Sequence, residues 1–407
     1  MVESQVGFEK VTLFRQEAPG GLTYRIPALL YLPSESAFLA FAEERSSPRD
    51  EDAKFLVMRR GQKEGTSVKW GPQETLMMAT LPKYRTMNPC PVYEEQSGTV
   101  FLFFICVLDH ITAQHQLITG KNAVRFCYIV SQDGGRTWNQ ATDVTQQVMG
   151  DSRNWATCAL GPGHGVQLSS GRLVIPAYAY CVQKRCFGLS LCCWTKPHCF
   201  ILYSDDGGQN WARGQFLKLP TSECQVAEVT CWDDNHLLYI NARNSGRGRC
   251  RAEALSLDRG NQFERGSLCK ELCEPPKGCQ GSVVSFTPVP EMLSLDPKAC
   301  PVALGRPYPA VIKSWLVFSH PTSRHKRVDL GIYLSIPIKR GRWEAPWVLN
   351  KGPSGYSDLA VCQEGKSFLF ACLFECGVSD PCEEIAVQLF TDVELLRNVS
   401  SNSSCST

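Results

Sequence analysis

Two octets, "SQDGGRTW" at 131–138 and "SDDGGQNW" at 204–211, share the frame S-x-D-G-G-x-x-W, and "SLDRGNQF" at 256–263 is a weaker third copy. Each follows an apolar run that reads as a strand, "FCYIV", "FILY" or "AEAL". A frame that returns behind a strand marks a repeating structural unit, and strand-rich units repeating about an axis close into a β-propeller. Ser and Asp oxygens in the frame can accept hydrogen bonds from turn backbone, glycine supplies positive φ, and the closing aromatic can pack between neighbouring sheets. Asp133, Asp206 and Asp258 therefore read as turn formers rather than catalytic acids.

The remaining sequence agrees with an all-β fold. Short apolar or alternating runs bounded by Gly, Pro, Asn and Asp recur throughout, among them "ALLYLP", "TVFLFFICV", "GRLVIPAYAY", "HLLYINAR" and "FLFACLF". Helical spacing is confined to "DVELLRNV" near the end and "ATDVTQQVMG" at 141–150. No linker divides the chain, so residues 1–397 are expected to form one domain. The proline-rich segment 287–312 reads as a long surface loop, and 398–407 as a polar, disordered tail that contains the sequons "NVS" at Asn398 and "NSS" at Asn402.

With 42 basic and 40 acidic residues the net charge is only +2, which argues against nucleic-acid partners. The N-terminus lacks a basic start followed by an apolar core, and "VFLFFICVL" falls far short of the ~20 residues that span a bilayer. Any membrane association is thus expected to be peripheral. Twenty-one cysteines, none in C-x-x-C zinc spacing, are expected to be reduced and mostly buried. The cluster Cys181, Cys186, Cys192, Cys193 and Cys199 has two readings: an ordinary loop with small apolar residues, or an acylation site.

The stretch "YRIP" at 24–27 sets Arg25 inside an apolar strand, where an unpaired charge would be costly. Together with the repeated turns and with "FAEERSSPRDEDA", "MNPCPV", "PAYAY", "CRAEALS", "GCQGSVVSF", "HPTSR", "RVDLGIYL", "GYSDLA" and "CLFECG", it resembles the sialidase (exo-α-neuraminidase) family. The likeness runs from about residue 12 to 395 and is greatest to the vertebrate plasma-membrane branch that acts on gangliosides.

That resemblance implies a six-bladed propeller with Asp-box turns and an axial pocket for sialic acid. The sugar's anomeric carbon bears a carboxylate, which planar arginine forks suit. The family triad maps to Arg25, Arg243 in "INAR" and Arg327 in "KRVDLG", with Arg45 as a further carboxylate contact and Glu375 orienting Arg25. A carboxylate nucleophile would be repelled from such a centre, and sialidases use tyrosine instead. Tyr356 and Glu223 match the nucleophile and its base, and Asp50 the acid/base. Without the resemblance they would pass for a packing tyrosine, a solvated glutamate and a solvated loop. Ile26, Met87, Asn88, Tyr178, Tyr180 and Gln280 match pocket contacts; Tyr178 and Tyr180 share one strand face, which serves a pocket or a packed core equally.

One position departs from the pattern. Ala113 in "HITAQHQL" stands where close relatives carry a glutamate on a mobile loop that approaches the sugar. No metal or organic cofactor is implied. The expected activity is retaining hydrolysis of terminal sialic acids from glycoconjugates, preferentially gangliosides, at the plasma membrane or endosomes. The alternatives are a sialic-acid-binding lectin on the same propeller, a sialidase preferring soluble glycoprotein or oligosaccharide substrates, and a protein-binding scaffold; the alternative location is the cytosol.

Overall fold

The computed structural model describes residues 8–150, 154–183, 195–244, 246, 248–289, 312–336 and 343–403, the last four of these by backbone alone. The loop expected at 287–312 therefore lies almost wholly outside the described residues, as do Cys186, Cys192, Cys193 and the end of the tail.

The fold is an all-β, propeller-like arrangement of antiparallel sheets. The first sheet runs Thr23–Leu32, Ala37–Arg45, Ala53–Glu64 and Ser67–Trp70, with Glu74–Thr75 beside the third strand. Tyr84–Glu94, Thr99–Leu108, Val124–Ser131 and Thr142–Asp143 make the second; Trp155–Leu160, Leu173–Val182, Thr195–Ser204 and Ala212–Arg213 lead the third. Ser222–Thr230, His236–Arg243, Cys250–Ser256 and Ser267–Cys273 make the fourth. The last sheet has seven strands: Ser282–Phe286, Trp315–Pro321, Val328–Ser335, Trp347–Glu364, Ser367–Cys376, Glu384–Thr391 and, at its edge, the N-terminal strand Val11–Arg15. Pairing of Val11 with Val387 and Arg15 with Glu384 joins the two ends of the chain.

Among the described residues there are thus five hydrogen-bonded sheets, where six blades were expected. The reason is one long strand. Trp347–Glu364 pairs through its first half with Val328–Ser335 and through its second half with Ser367–Cys376, so the ladder never breaks.

Packing explains why strands such as "TVFLFFICVL" are apolar on both faces: each sheet lies between two others. Phe103, Phe126, Leu173 and Phe200 fill the space between the second and third sheets. Within the seven-strand sheet, Phe286, Trp315 and Ile332 from one half meet Leu359, Phe370 and Phe390 from the other.

The repeated turns behave as expected. Ser131 Oγ donates to Asp133 Oδ1 at 2.8 Å and accepts from Gly135 N at 2.8 Å, and Asp133 Oδ1 accepts from Thr137 N at 2.9 Å. Ser204, Asp206 and Gly208 repeat the pattern, and so do Ser256, Asp258 and Gly260. In the weaker copy Arg259 takes the place of the first glycine and is held at φ +59°, a conformation that costs a side-chain-bearing residue more. The aromatics reach the adjacent sheet: Trp138 packs on Phe41 at 6.2 Å and Trp211 on Phe103 at 4.5 Å.

Among the described residues, three α-helices decorate the sheets. Thr145–Met149 and Asp392–Ser403 fall where helical spacing was read, but the second runs on through 398–403, so that stretch is not the disordered tail expected. The third, Ala113–Thr119, was missed, although Thr112 and Gly120 bracket it. Thr112 Oγ1 accepts from His115 N at 3.0 Å, and Gly120 turns left-handed at φ +61°. The sixteen described cysteines are free thiols and mostly buried. No described helix is long and apolar enough to cross a membrane.

Hydrogen bonds from Asn210 and Ser204 hold the Asp206 carboxyl down at about 2, against an unfolded value of ~3.9. Its contribution to stability is therefore complete above about pH 4 and lost as pH falls towards 2. Asp206→Ala should cost about 1 kcal/mol at pH 7, the turn being solvent-exposed, and clearly less at roughly pH 3. Urea midpoints at the two pH values check this; an equal penalty at both would contradict the role given to the carboxylate.

Candidate active site

The residues singled out from the sequence leave their strands at irregularities. Strand register shifts between Arg25 and Ala28, Met87 and Cys90, Ser222 and Cys224, Val328 and Leu330, and Ser354 and Ser357. At four of these, Ile26 (φ +61°), Asn88 (+56°), Glu223 (+30°) and Asp329 (+57°) hold positive φ without being glycine. A bulge inserts a residue and re-aims its neighbours, and such strain persists only where surrounding bonds hold it.

Those bonds are visible. Glu375, 1% exposed, accepts from Arg25 Nε (2.7 Å) and Ile26 N (3.0 Å) on one oxygen, and from Tyr356 N (2.9 Å) and Arg25 Nη2 (3.4 Å) on the other. Burial works to raise this carboxyl, but the Arg25 charge and these bonds hold it below its usual range. Leu29 N, Ser282 Oγ and His164 Nδ1 all lie 2.7 Å from the oxygens of buried Asp358, which ties three inner strands together two residues beyond Tyr356.

Tyr356 sits among the three arginines. The guanidinium carbons of Arg25 and Arg327 lie 5.6 and 5.3 Å from its ring centre, and Arg243 Nη1 donates to its hydroxyl at 3.1 Å. The same hydroxyl makes a very short hydrogen bond to Glu223 Oε1, while Arg243 Nη1 reaches Glu223 Oε2 at 2.6 Å. Burial and the Glu223 charge push the phenol well above its ordinary value, outweighing Arg243 and Arg327. A neutral phenol bonded to a carboxylate has in that carboxylate a base within reach of its proton.

A cavity of about 430 Å³ brings together Asp50, Met87, Asn88, Tyr178 and Tyr180. Ala113, first residue of its helix, lines the same cavity with Arg85 and Gln116. Tyr178 and Tyr180 both line it, Tyr178 packing against the core as well; their rings meet edge-on at 6.2 Å. Burial, and then the Glu223 charge, raise the Tyr178 phenol, and Cys224 Sγ, next to Glu223, donates to the carbonyl of Ala177, next to Tyr178, at 3.5 Å. Asp50, with 68% of its side chain exposed, accepts from Arg45 Nη1 at 2.8 Å.

Two expected contacts point elsewhere. Arg45 is fully buried, and its remaining bonds go to Glu43 Oε2 (2.8 and 2.6 Å) and the Pro48 carbonyl (3.0 Å). It holds Asp50 rather than facing open space. Gln280 is 1% exposed and spends its amide on the Pro162 and Ser357 carbonyls (3.1 and 2.9 Å) and on Ser357 N (3.0 Å), bracing the Tyr356 strand from behind.

Sequence reasoning missed Glu43, which anchors Arg45 and accepts from Asn88 N at 2.7 Å. Its spacing of two from Arg45 in "FAEER", on one strand face, was the available signal. It also missed Asp358 and His164, for which no local pattern exists.

Residues 36–369 match the BNR repeat-like domain. The chain is 50% identical to Sialidase-3 of Homo sapiens, covering 96% of this chain and 94% of that protein. It is 41% identical to Sialidase-4 of Mus musculus, again over 96% and 94%. A Hadza microbial sialidase shares the fold with a TM-score of 0.70 at 22% identity, over 92% of this chain and 67% of that one. The intramolecular trans-sialidase from Ruminococcus gnavus in complex with oseltamivir carboxylate does so with a TM-score of 0.69 at 15% identity, over 96% and 99%. Likeness of this degree to Sialidase-3, sustained through nearly the full length of both chains, makes this protein a member of the sialidase family of glycoside hydrolases.

Proposed function

We propose that the chain is a retaining exo-α-sialidase whose nucleophile is Tyr356. The observation that carries this reading is the hydroxyl of Tyr356 bonded to Glu223 amid Arg25, Arg243 and Arg327. The three guanidinium groups receive the sugar carboxylate, and Arg327, which bonds no carboxylate among the described residues, has the most donors to give. The Tyr356 oxygen attacks the anomeric carbon while its proton passes to Glu223. Asp50 protonates the departing aglycone oxygen, then takes a proton from the water that attacks the glycosyl-tyrosine bond. Glu223 returns its proton to the leaving phenolate. Met87, Asn88, Tyr178 and Tyr180 hold the side arms of the sugar, and Ala113 gives that pocket a methyl where close relatives have a carboxylate.

The propeller is read as six-bladed, the seven-strand sheet being two blades joined by the continuous strand Trp347–Glu364. Its halves face each other across an apolar core as separate blades would. The three Ser-Asp-Gly turns are its Asp boxes, and residues up to 397 form one domain.

Gangliosides at a membrane surface are the proposed preferred substrates, with peripheral association at the plasma membrane or endosomes. The support is the resemblance to the ganglioside-acting branch together with the cysteine-rich stretch. Cys199 is fully buried in its strand and Cys181 lies in the strand beside it, so acylation would fall on Cys186, Cys192 or Cys193.

Tyr356→Phe should lower kcat by at least about 10³-fold while leaving binding of a sialic acid analogue within a few-fold, the loss being confined to the chemical step. Undiminished turnover would remove the tyrosine from the mechanism. Asp50→Asn should cost about 10²- to 10⁴-fold on alkyl sialosides but far less on an aryl sialoside, whose leaving group departs without a proton. A loss independent of the leaving group would argue against Asp50 as the acid. Ganglioside micelles should be cleaved with higher kcat/KM than sialyllactose; the reverse order would leave the sialidase reading and remove the lipid preference.

A further inference from the structure

Three motifs of the resemblance, "CRAEALS", "GCQGS" and "HPTSR", have no part in the chemistry above, yet they converge on one buried carboxylate. Glu274 accepts from Arg251 Nη1 at 3.1 Å, from Cys279 N at 3.0 Å and from Asn244 N at 3.1 Å. His320 Nε2 stands 3.2 Å from its Oε2. Arg251 and Glu274 are fully buried and His320 is 1% exposed.

Glu274 opens the loop that carries the arginine clamp. Within Glu274–Gln280, the Lys277 carbonyl accepts from Arg243 Nε at 3.0 Å and the Gly278 carbonyl from Arg327 Nη2 at 2.9 Å. Cys279 packs on Tyr356 and Ile26, and Gln280 braces Ser357. Asn244, which Glu274 also holds, follows Arg243 directly. A displacement of this loop would move two clamp arginines and the wall of the nucleophile together.

The imidazole has a donor problem. Nδ1 lies 2.8 Å from the Pro321 carbonyl, and Nε2 faces the Glu274 carboxylate without a completed hydrogen bond. Both neighbours are acceptors, whereas a neutral imidazole carries one N–H, so either tautomer sets a lone pair against an oxygen. Only the imidazolium serves both. The other groups facing the ring are the Phe318 ring, stacked at 5.6 Å, and Arg251, whose charge opposes protonation.

We propose that Glu274 and His320 are positioning residues for the carboxylate clamp, and that protonation of His320 completes its hydrogen bond to Glu274 and so steadies the loop that holds Arg243 and Arg327 for an anionic substrate. This rests on the sialidase reading above. Burial lowers the His320 pKa from its ordinary value against the pull of Glu274, so the transition falls on the acid side of about 6.5. Glu274, held near about 2 by Arg251 and His320 despite its burial, stays ionised throughout. The clamp therefore tightens as pH falls through the histidine transition and loosens as pH rises.

The test pairs imidazole NMR of ¹⁵N-histidine-labelled protein with the pH dependence of binding for a non-hydrolysable sialic acid analogue. His320 should carry two N–H groups at low pH and release one as pH rises. By linkage, bound analogue should raise the pH at which it does so. Wild-type affinity should strengthen by about tenfold across that transition, one charge-assisted hydrogen bond's worth. His320→Gln, whose amide donates to Glu274 at every pH, should lose that step while retaining affinity. Glu274→Gln should raise KM by about 10- to 100-fold with a smaller change in kcat.

A single N–H on His320 from about pH 4.5 to about pH 7.5, or a proton release indifferent to the analogue, would overturn the proposal. So would KM and pH slope unchanged in both variants. Should either variant not fold, the wild-type titration with and without analogue decides by itself. Wild-type protein that cleaves no sialoside would instead overturn the activity, a result the variants do not affect.

Discussion

Glu375 is the group on which the remainder of the site depends. Its two oxygens collect the Arg25 guanidinium, the Ile26 amide and the Tyr356 amide, from one inner strand of the first sheet and one strand of the last. A carboxylate with 1% exposure is stable only with such a complement of charged and backbone donors. Removing it would leave Arg25 as an unpaired buried charge and free two backbone amides at bulges, one of them the strained Ile26. The carboxylate that joins the first sheet to the last is thus the one that orders Arg25 and Tyr356.

The polar interior behind Tyr356 follows the same logic on a larger scale. Asp358, Gln280 and Glu43 are buried, and each accepts from a backbone amide of a strand it does not belong to, while buried Glu274 accepts from the Cys279 amide of its own loop. Inner strands that converge on an axis cannot pair edge to edge, so their exposed backbone groups need side-chain partners. Those partners fix where bulges occur, and the bulges fix where Arg25, Glu223 and Tyr356 point. Arg45 illustrates the division of labour: enclosed by Glu43 and Pro48, it presents Asp50 to the cavity while remaining hidden itself.

What could be read from the sequence was local or motif-borne. The Ser-Asp-Gly turns and apolar runs disclosed an all-β repeating fold because turn chemistry and strand burial are written in adjacent residues. The sheet count was not legible, since whether Trp347–Glu364 is one strand or two depends on a ladder that continues through a bend. Arg25, Glu223 and Tyr356 were found by resemblance, not by physics; Glu223 and Tyr356 lie 133 residues apart and Arg25 farther still from either, and no periodicity brings them together. Gln280 and Arg45 were placed in the pocket because a motif match reports position but not the direction of a side chain. The helix at Ala113–Thr119 was legible from its caps and was passed over because its seven residues lack an apolar stripe.

The central claim is that Tyr356, neutral and bonded to Glu223, forms a covalent bond to the sugar. Incubation with a fluorinated sialosyl donor that forms its glycosyl-enzyme quickly and releases it slowly, followed by peptide mass spectrometry, tests this directly. The account predicts one added fluorosialyl group on the peptide containing Tyr356 and none in Tyr356→Phe. Rapid turnover of a natural sialoside with no such adduct, or an adduct on another residue, would contradict it.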